Sequence, residues 1–387
     1  MKILHITDCY LPRLGGIETQ VHALARHQLA AGRDVEVLTA TPRARHDRTS
    51  REVIDGVPVL RATADLPFEL PVHPRTGREV ARVLDAAAAA GAPYDAVHAH
   101  VGVVSPFAYG ALPAVLRRRL PLVITVHCLW GYATPAFRLL DAVTHWAGRP
   151  AVLTAVSDVA AEPLRRIAGP CTPVDVIPNG IDAAAWRVER LPRDPADVRL
   201  VAVMRLAARK RPMPLLRILR SVRDRVPPGV RLRVDVAGDG PQRAAMERYL
   251  RRHGMADWVH LRGRLTADEL RELYRRADVY VAPTRLESFG IAALEARTAG
   301  LPVVAMAAAG IREFVSPPVE GLLADSDDAM AAALARLATD AELRERIAAH
   351  NRAVTPAVTW SDVLRRCDDA YTRAATLADP TPTPTPP

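Results

Sequence analysis

Residues 283–310, PTRLESFGIAALEARTAGLPVVAMAAAG, contain the pattern that decides the fold. A strand-like run at residues 277–282 leads into them, a polar turn follows, and residues 290–296 have helical character. The N-terminus of a helix offers unpaired N–H groups and a partial positive charge, which together suit a phosphate. Glu287 and Glu295 lie on either side of this helix start, on the order of 10 to 15 Å apart by the rise of loop and helix.

This spacing is long enough to flank a sugar diphosphate. The pyrophosphate would lie on the N–H groups near Phe289, Gly290 and Ile291, and each carboxylate would accept hydrogen bonds from hydroxyl groups of a sugar or a ribose. The alternative is two solvated glutamates at a helix start, where acidic residues are common. On spacing alone, the solvated interpretation is the commoner one.

The same strand, loop and helix pattern recurs along the chain, which predicts an α/β fold with parallel sheets. At 387 residues the chain exceeds one ordinary core, so we expect two domains. A segment rich in proline, arginine and aspartate before Asp197 is typical of a linker, so the first domain should comprise residues 1–185.

The C-terminal part predicts helices and then an unstructured tail. Residues 325–350 are helical and rich in alanine, and Ser361 is a predicted N-cap of a last helix. The Pro/Thr tail, residues 378–387, cannot pack and should be disordered.

Composition excludes several classes of protein. The chain is 49% hydrophobic and 25% charged, without an apolar run of about 18 residues or a signal-peptide layout, so we expect a cytoplasmic protein, at most peripheral to a membrane. The four cysteines are scattered, which predicts neither a disulfide framework nor a zinc site.

The positive charge is mild and dispersed. Fifty-two basic residues against 43 acidic ones give a net charge of +9. Nucleic-acid binders concentrate such charge on one face or in a known motif, and this chain does neither, so no nucleic-acid partner is expected. The basic residues 117–119 are compatible with a membrane surface or with a solvated helix end.

A basic loop follows the predicted strand at residues 198–204. Lysine occurs only at positions 2 and 210, so Lys210 is conspicuous in a chain that otherwise uses arginine. Arg205 and Lys210 could converge on a pyrophosphate, the arginine as a chelator and the lysine as a point charge. A solvated basic loop is the alternative.

The first half offers glycines and histidines at strand ends. Gly15 and Gly16 allow close backbone approach to a phosphate, or simply make a tight turn. His98 and His100 share one face of a strand, and without a nearby Asp, Glu or Cys they favour hydrogen bonding over metal binding. His127 follows the strand at residues 122–126, at the edge where open α/β sheets bind ligands. A packed histidine there is equally compatible.

Together these motifs resemble the retaining family 4 glycosyltransferases of the GT-B fold. The resemblance extends from Met1 to about Tyr371, and its strength lies in the order of the motifs along the chain. The segments that carry it are Gly15-Gly16-Ile17-Glu18, Thr125-Val126-His127, Ile177-Pro178-Asn179-Gly180-Ile181-Asp182, Arg205 with Lys210, and Glu287-Ser288-Phe289-Gly290 with Glu295-Ala296.

The resemblance implies two Rossmann-like domains whose parallel sheets face a central cleft. Residues 1–185 would bind the acceptor and residues 186–356 the nucleotide sugar. A helix at residues 357–377 would cross back to the N-terminal domain.

The resemblance also assigns roles to individual residues. Glu295 would bind the donor ribose, Glu287 the hydroxyls of the transferred sugar, and Arg205 with Lys210 the departing diphosphate. The remaining residues of the implied site are His127 beside the donor sugar, Gly15 and Gly16 near the diphosphate, Gly263, Arg264 and Leu265 at the base, and Ser288, Phe289, Gly290 and Ile291 around the phosphates.

The implied reaction needs neither a cofactor nor a metal, because fixed cations and helix dipoles neutralise the leaving group. It would transfer a hexosyl group from a UDP- or GDP-linked sugar, with retention, to a hydroxyl of a glycan, a lipid-linked or a small-molecule acceptor. Front-face attack, with the donor phosphate taking the proton, requires no carboxylate base. Two positions depart from the family pattern, since Met204 and Arg211 stand where glycine is common.

Three other functions remain open. The chain could be a catalytically silent nucleotide-sugar-binding subunit, or a GT-B epimerase that cleaves or inverts a nucleotide sugar without an acceptor. A nucleic-acid binder is the third, which retention of nucleic acid on a filter at moderate salt would reveal.

Overall fold

The computed structural model describes residues 1–13, 15–43, 50–64, 71–131, 133–144, 146–191, 194 and 196–379. These divide into two compact units. The first comprises Met1–Gly180 together with the chain from Trp360 onward, and the second comprises Ile181–Thr359. The predicted tail lies outside the described residues, apart from its first two positions.

The first unit contains an eight-stranded sheet in the order β3-β4-β2-β1-β5-β6-β7-β8. All neighbouring strands are parallel except β3 and β4. The strands are β1 (Lys2–Thr7), β2 (Asp34–Thr39), β3 (Ser50–Ile54), β4 (Val57–Arg61), β5 (Ala96–Val101), β6 (Leu122–Val126), β7 (Val152–Ala155) and β8 (Val174–Val176). The central strands are buried along nearly their whole length, as parallel strands covered on both faces require.

Helices cover this sheet. They are α1 (Gly16–Ala30), α2 (Thr76–Ala89), α3 (Pro106–Arg117), α4 (Thr134–Thr144), α5 (Asp158–Ala168) and, from the C-terminal end of the chain, α13 (Trp360–Ala378). The buried face of α13 contributes Val363, Cys367 and Tyr371 to one core with Ile3 and Val123. The last helix is therefore part of the first unit.

The second unit contains a six-stranded parallel sheet in the order β11-β10-β9-β12-β13-β14. Its strands are β9 (Asp197–Val203), β10 (Arg231–Ala237), β11 (Val259–Gly263), β12 (Val279–Ala282), β13 (Val303–Met306) and β14 (Gly321–Ala324). Numbered from the first strand, this is the order 3-2-1-4-5-6 of dinucleotide-binding folds. The order reverses between β9 and β12, and in open α/β sheets ligands bind beside such a reversal.

The described residues of this unit form seven α-helices between residues 183 and 353. They are α6 (Ala183–Trp186), α7 (Pro212–Arg225), α8 (Arg243–Arg252), α9 (Ala267–Arg276), α10 (Ile291–Thr298), α11 (Asp327–Thr339) and α12 (Ala341–Ala353). One apolar core joins residues of the strands with the inner faces of α7, α8, α11 and α12. None of the described helices of either unit is long and apolar enough to cross a membrane.

The structure differs from the sequence analysis at three places. Sequence analysis missed β3, which pairs with β4 through an Asp55-Gly56 turn whose two residues both have positive φ, 47° and 83°. The segment 325–350 is two helices, because the Asp340 carboxylate accepts from the Leu343 N–H and caps a new helix. The helix α13 begins at Trp360, so the prediction of Ser361 as its N-cap is wrong.

Candidate active site

In the second unit, the predicted site residues follow the two strands that flank the reversal of strand order. The loop after β9 carries Arg205 and Lys210, and the loop after β12 carries Glu287 and Ser288. Because β9 and β12 are neighbours in the sheet, the two loops lie at the same edge. Tertiary structure thus brings together residues that are almost 80 positions apart in sequence.

Lys210 and Glu287 form an ion pair. Lys210 Nζ lies 2.5 Å from Glu287 Oε2, and the side chains are 24% and 19% exposed. The hydroxyl of Thr284 donates to the Lys210 carbonyl, 3.2 Å away, which fixes the lysine backbone against the second loop. Sequence analysis assigned these side chains to different parts of the donor, and the structure shows that they also pair with each other.

The structure shows how an arginine is accommodated at position 211, where glycine is common in the family. Its backbone has φ 61° and ψ 42°, the left-handed conformation that glycine adopts without strain. Here the arginine side chain forms two bonds to the Asp327 carboxylate, 2.9 and 2.8 Å long, and a third to the Pro283 carbonyl at 2.9 Å. These bonds tie the lysine loop to α11 and to the end of β12, and offset the strain.

Arg205 is exposed, whereas Lys210 is only partly exposed. Among the residues that the structure describes, none forms an ion pair with its guanidinium. The adjacent Leu206 N–H donates to the Asp239 carbonyl at 2.9 Å, and the Leu206 carbonyl accepts from Gln242 N–H at 2.9 Å. Gly238 packs so closely on the Met204 carbonyl that any Cβ there would collide with it. The loop is held in place while the guanidinium stays accessible.

The loop before α10 has a fixed shape. Gly290 has φ 95°, and a Cβ at this position would lie 2.6 Å from the Ile311 side chain. Phe289 is buried against Phe314, with ring centroids 5.3 Å apart, and the Gly310 N–H donates to the Glu287 carbonyl at 2.9 Å. Within the described chain, no backbone carbonyl accepts from the N–H groups of Phe289, Gly290 or Ile291. Backbone N–H groups at a helix start of this kind can bind an anion.

Glu295 lies one turn into α10 in a water-poor environment. Burial raises the pKa of its carboxyl to about 8, and no hydrogen bond in the described part of the chain offsets this effect. Two buried tyrosines, Tyr274 and Tyr280, lie close to Glu295. Burial is the main cause of the raised pKa of both phenols, and the negative charge of Glu295 raises it further. The charge of Glu287 also raises the pKa of Tyr280, so this tyrosine lies near both carboxylates. A carboxyl group in this setting can bind ribose hydroxyls without competition from water.

Gly263, Arg264 and Leu265 lie at the same edge of the sheet, at the end of β11. The Gly263 carbonyl accepts from the Gly238 N–H at 2.6 Å, and Arg264 is exposed. One strand, β10, lies between β11 and the strand that precedes Arg205. They thus lie to one side of the pair formed by Lys210 and Glu287.

In the first unit, Gly15 and Gly16 begin α1. Gly15 is the N-cap in an extended conformation, and the Glu18 carboxylate folds back over it so closely that a Cβ at Gly15 would collide. The Glu18 carboxylate is the far end of a flexible side chain and Gly15 is extended, so the fold alone does not require a glycine at position 15.

His127 takes part in a chain of hydrogen bonds that leads into the core of the first unit. Its Nε2 lies 2.9 Å from His100 Nδ1, His100 Nε2 lies 2.9 Å from His5 Nδ1, and His5 Nε2 lies 2.7 Å from the Gln28 side-chain oxygen. Burial lowers the pKa of His127 and of His5 to about 4, and it also lowers that of His100 well below its ordinary value. These rings are neutral at pH 7.

A second arm of this network leads from Gln28 to β7. The Gln28 amide nitrogen donates to the Tyr371 hydroxyl at 2.9 Å, which lies 2.9 Å from His98 Nδ1. His98 Nε2 lies 2.6 Å from the Thr125 hydroxyl, which lies 2.5 Å from that of Thr154. Sequence analysis correctly placed His98 and His100 on one face, but gave no signal for Gln28 or Tyr371.

The three rings of His5, His98 and His100 are close enough together to hold a metal ion. However, all six of their ring nitrogens already face a hydrogen-bond partner. A metal would have to displace several of those bonds in a buried site without a carboxylate. The arrangement favours hydrogen bonding.

Comparisons with known proteins cover both halves of the chain. Residues 14–185 match the model "Glycosyltransferase Family 4" and residues 187–354 match "Glycosyl transferases group 1". The glycogen synthase of Mycobacterium tuberculosis is 31% identical over 97% of this chain and 95% of its own length. The D-inositol 3-phosphate glycosyltransferase of Frankia alni is also 31% identical, over 94% of this chain and 96% of its own. The chain belongs to the group 1, family 4 glycosyltransferases.

Solved structures agree on the fold of this glycosyltransferase. Anabaena HepE in complex with UDP and glucose has a TM-score of 0.73 at 20% identity, covering 96% of this chain and 99% of that one. The sucrose-phosphate synthase of Thermosynechococcus elongatus has a TM-score of 0.71 at 21% identity, with coverages of 96% and 98%. The predicted α/β, GT-B fold is confirmed. The chain is a glycosyltransferase that uses a nucleotide sugar.

Proposed function

We propose that this glycosyltransferase moves a hexosyl group from a UDP- or GDP-linked sugar to a hydroxyl acceptor, with retention and without a metal ion. The observation that carries the proposal is the Lys210–Glu287 pair at the reversal of strand order, on the loop that also carries Arg205. Two fixed cations at such a site can neutralise a departing diphosphate, and thus do the work that a metal does elsewhere.

In this proposal, the ion pair opens when the donor binds. Lys210 and Arg205 bind the diphosphate together with backbone N–H groups at the start of α10, and Glu287 is released to accept hydrogen bonds from the transferred sugar. Because Lys210 is only partly exposed, water screens its charge less than that of a fully exposed lysine, which strengthens its attraction to developing negative charge. Glu295 binds the ribose hydroxyls, and Gly263, Arg264 and Leu265 contact the base.

We assign the first-unit residues by the family resemblance. His127 lies beside the donor sugar, and the Gly16 N–H approaches the diphosphate with Gly15. The bond between the anomeric carbon and the diphosphate oxygen breaks, the acceptor oxygen bonds to the same face, and its proton passes to the departing phosphate. No carboxylate base is required.

The relatives narrow the donors and acceptors to be tested. HepE is known as complexes with UDP, with UDP and glucose, and with UDP-glucose, which supports a UDP-linked hexose as the first donor to try. Glycogen synthase and inositol 3-phosphate glycosyltransferase differ in acceptor, so a glycan, a small-molecule or a lipid-linked hydroxyl are each proposed. We also propose a cytoplasmic location with peripheral membrane contact, supported by Arg117 and Arg119, which are exposed at the end of α3.

The decisive experiment measures nucleoside diphosphate release from a panel of UDP- and GDP-sugars, with candidate acceptors and with EDTA present throughout. The proposal predicts acceptor-dependent release that EDTA leaves unchanged, and a product with the anomeric configuration of the donor by NMR. Binding without release would indicate a silent subunit, and conversion of the donor without an acceptor would indicate an epimerase. Inhibition by EDTA would overturn the metal-independent mechanism.

A further inference from the structure

Two loops meet at the carboxyl edge of the second unit, and they are bonded to each other at Lys210 and at Arg211. Both residues follow β9, and their partners Pro283, Thr284 and Glu287 follow β12. Lys210 pairs with Glu287 through its side chain, and its carbonyl accepts from the Thr284 hydroxyl at 3.2 Å. The Arg211 side chain donates to the Pro283 carbonyl at 2.9 Å. Of these bonds, only the ion pair involves the lysine side chain.

These bonds have different fates in the proposed reaction. The ion pair has to open, because the Lys210 ammonium group turns from Glu287 to the diphosphate of the donor. The other bonds involve the lysine carbonyl and the residue that follows it, so they can persist. A lysine side chain is a flexible stem, so its charge is placed accurately only while its backbone is fixed.

Arg211 links these two loops to a third element. Its guanidinium forms bonds of 2.9 and 2.8 Å to the two carboxylate oxygens of Asp327, in the first turn of α11. The Arg211 side chain is 19% exposed, and its backbone carbonyl accepts from the Leu215 N–H at 3.0 Å, in the first turn of α7. The half-exposed Arg285 makes a longer contact of 3.3 Å with the same carboxylate. Arg211 thus connects the start of α7, the start of α11 and the end of β12.

We propose that Arg211 and Asp327 are positioning residues, which hold the backbone of Lys210 in place when its side chain leaves Glu287 for the diphosphate. The inference rests on the proposed function, in which Lys210 neutralises that departing group. A glycine at position 211 would adopt the left-handed conformation without strain, whereas the arginine compensates for the strain with its bonds to Asp327 and Pro283. Asp327 therefore acts on transfer through the lysine and not by contact with the donor.

The chain contains a matched control next to Asp327. Asp328 lies in the same first turn of α11 and pairs with Arg225, the last residue of α7. Each aspartate places a negative charge at the favourable end of the helix dipole, and each pairs with an arginine at one end of α7. Replacing either one removes one such charge and one ion pair. Only Asp327 is bonded to the residue that follows Lys210.

The first test reads the backbone of Lys210 without any donor. Lys2 is the other lysine of the sequence, so a deuterated full chain labelled with ¹⁵N-lysine gives two backbone amide signals, which Lys2→Arg assigns. The Lys210 N–H donates to the Ala207 carbonyl at 2.9 Å, and its hydrogen exchanges with solvent when this short turn opens. Exchange should be about tenfold faster in Asp327→Ala, the scale of a hydrogen bond to a charged group, and unchanged in Asp328→Ala.

The second test measures nucleoside diphosphate release with donor and acceptor present. In Asp327→Ala, kcat should fall by at least about tenfold, since a displacement of about 1 Å can cost on the order of a hundredfold in rate. The donor KM should change little, because the proposed ribose and base contacts remain. Asp328→Ala should keep the kcat of the unaltered chain. In Arg211→Gly, which removes the guanidinium together with the strain, the further change Asp327→Ala should not lower kcat again.

Unchanged exchange of the Lys210 amide in Asp327→Ala would overturn the proposal, and so would equally fast exchange in Asp328→Ala. Faster exchange with an unaltered kcat, or a raised KM at constant kcat, would overturn the link to transfer. Where the alanine variant does not fold, Asp327→Asn removes the charge at the same shape, and the same outcomes decide. Since exchange is measured without donor, a chain that transferred no sugar would overturn the proposed function but leave the anchoring of Lys210 readable.

Discussion

The two units build their polar sites at the carboxyl edges of parallel sheets, but with opposite electrostatics. In the second unit the groups are charged and paired, as Lys210 with Glu287 and Arg211 with Asp327. In the first unit, buried neutral rings are joined by hydrogen bonds. The comparison teaches that fixed charge suits the stabilisation of a diphosphate, whereas neutral groups orient a side chain without adding charge.

The strongest test of the charged site is removal of its charges one at a time. Glu287→Ala should abolish transfer while nucleotide binding largely persists, because the carboxylate acts on the sugar. Lys210→Ala and Arg205→Ala should each lose about 2 to 4 kcal/mol of transition-state stabilisation in kcat/KM, the scale of comparable electrostatic groups. Steady-state kinetics of nucleoside diphosphate release would measure all three, with thermal shifts reporting nucleotide binding.

Arg209→Ala is the matched control for these variants. Arg209 is exposed on the same short turn as Lys210, and its loss should change kcat/KM little. Near-normal transfer by Glu287→Ala would show that the role of Glu287 is wrong. Unchanged turnover in both cation variants would refute the diphosphate assignment.

The buried carboxyl of Glu295 provides a test by pH. Its pKa of about 8 in the folded protein lies above the ordinary value of 4.5, so its stabilising contribution is complete below pH 4.5 and is lost as pH rises through 8. Glu295→Gln should therefore be more stable than wild type at pH 8.5, on the order of 2 to 4 kcal/mol, and equally stable near pH 4. Urea unfolding at both pH values measures this. An equal effect at both would show that the carboxyl titrates normally.

The histidine network should give the opposite pH dependence. Its rings have pKa values below the ordinary 6.5, so the unfolded chain takes up protons first as pH falls, and stability declines from pH 6.5 towards 4. Each ring contributes on the order of 1 kcal/mol per pH unit. Asp8, whose burial raises its pKa to about 6, opposes part of this decline.

Thermal unfolding between pH 7 and 5 tests this contrast. His98→Gln should have a shallower decline in stability than wild type, since one titrating ring is gone. His73→Gln, outside the network, serves as the control for the removal of a histidine. Parallel slopes for wild type and His98→Gln would contradict a neutral network.

The smallest predicted effect concerns the left-handed residue beside Lys210. Arg211→Ala and Arg211→Gly both lose the bonds to Asp327, but only alanine keeps the strain of the positive φ. Arg211→Gly should therefore be the more stable of the two by about 1 kcal/mol. Chemical denaturation of the pair measures the difference, and Asp327→Asn gives the cost of the ion pair alone. A more stable alanine variant would show that strain is not significant at this position.

Much of the fold was predictable because it depends on local pattern. Buried parallel strands are continuous apolar runs, and each is followed by a polar loop and an amphipathic helix, so their positions follow from sequence. The Asp55-Gly56 turn was an available signal for β3 that sequence analysis did not use. The break at Asp340 was harder to predict, since alanine-rich sequence continues on both sides.

The candidate site was predictable in its membership but not in its contacts. Strand-end loops indicated Arg205, Lys210 and Glu287, but the pairing of Lys210 with Glu287 joins residues 77 apart. Nor did any motif indicate Gln28 and Tyr371, which are 343 residues apart. The roles assigned to the site residues remain predictions.

The sequence by itself determined the alternation of strands and helices, the family, and the loops that carry chemistry, because these depend on residue type and short-range order. Only the tertiary structure decided which side chains meet and which are deprived of water. Burial raises the pKa of Glu295 and lowers those of the histidines, though neither residue type carries that information in sequence. Desolvation depends on everything that packs around a group, and that is settled only when distant segments assemble.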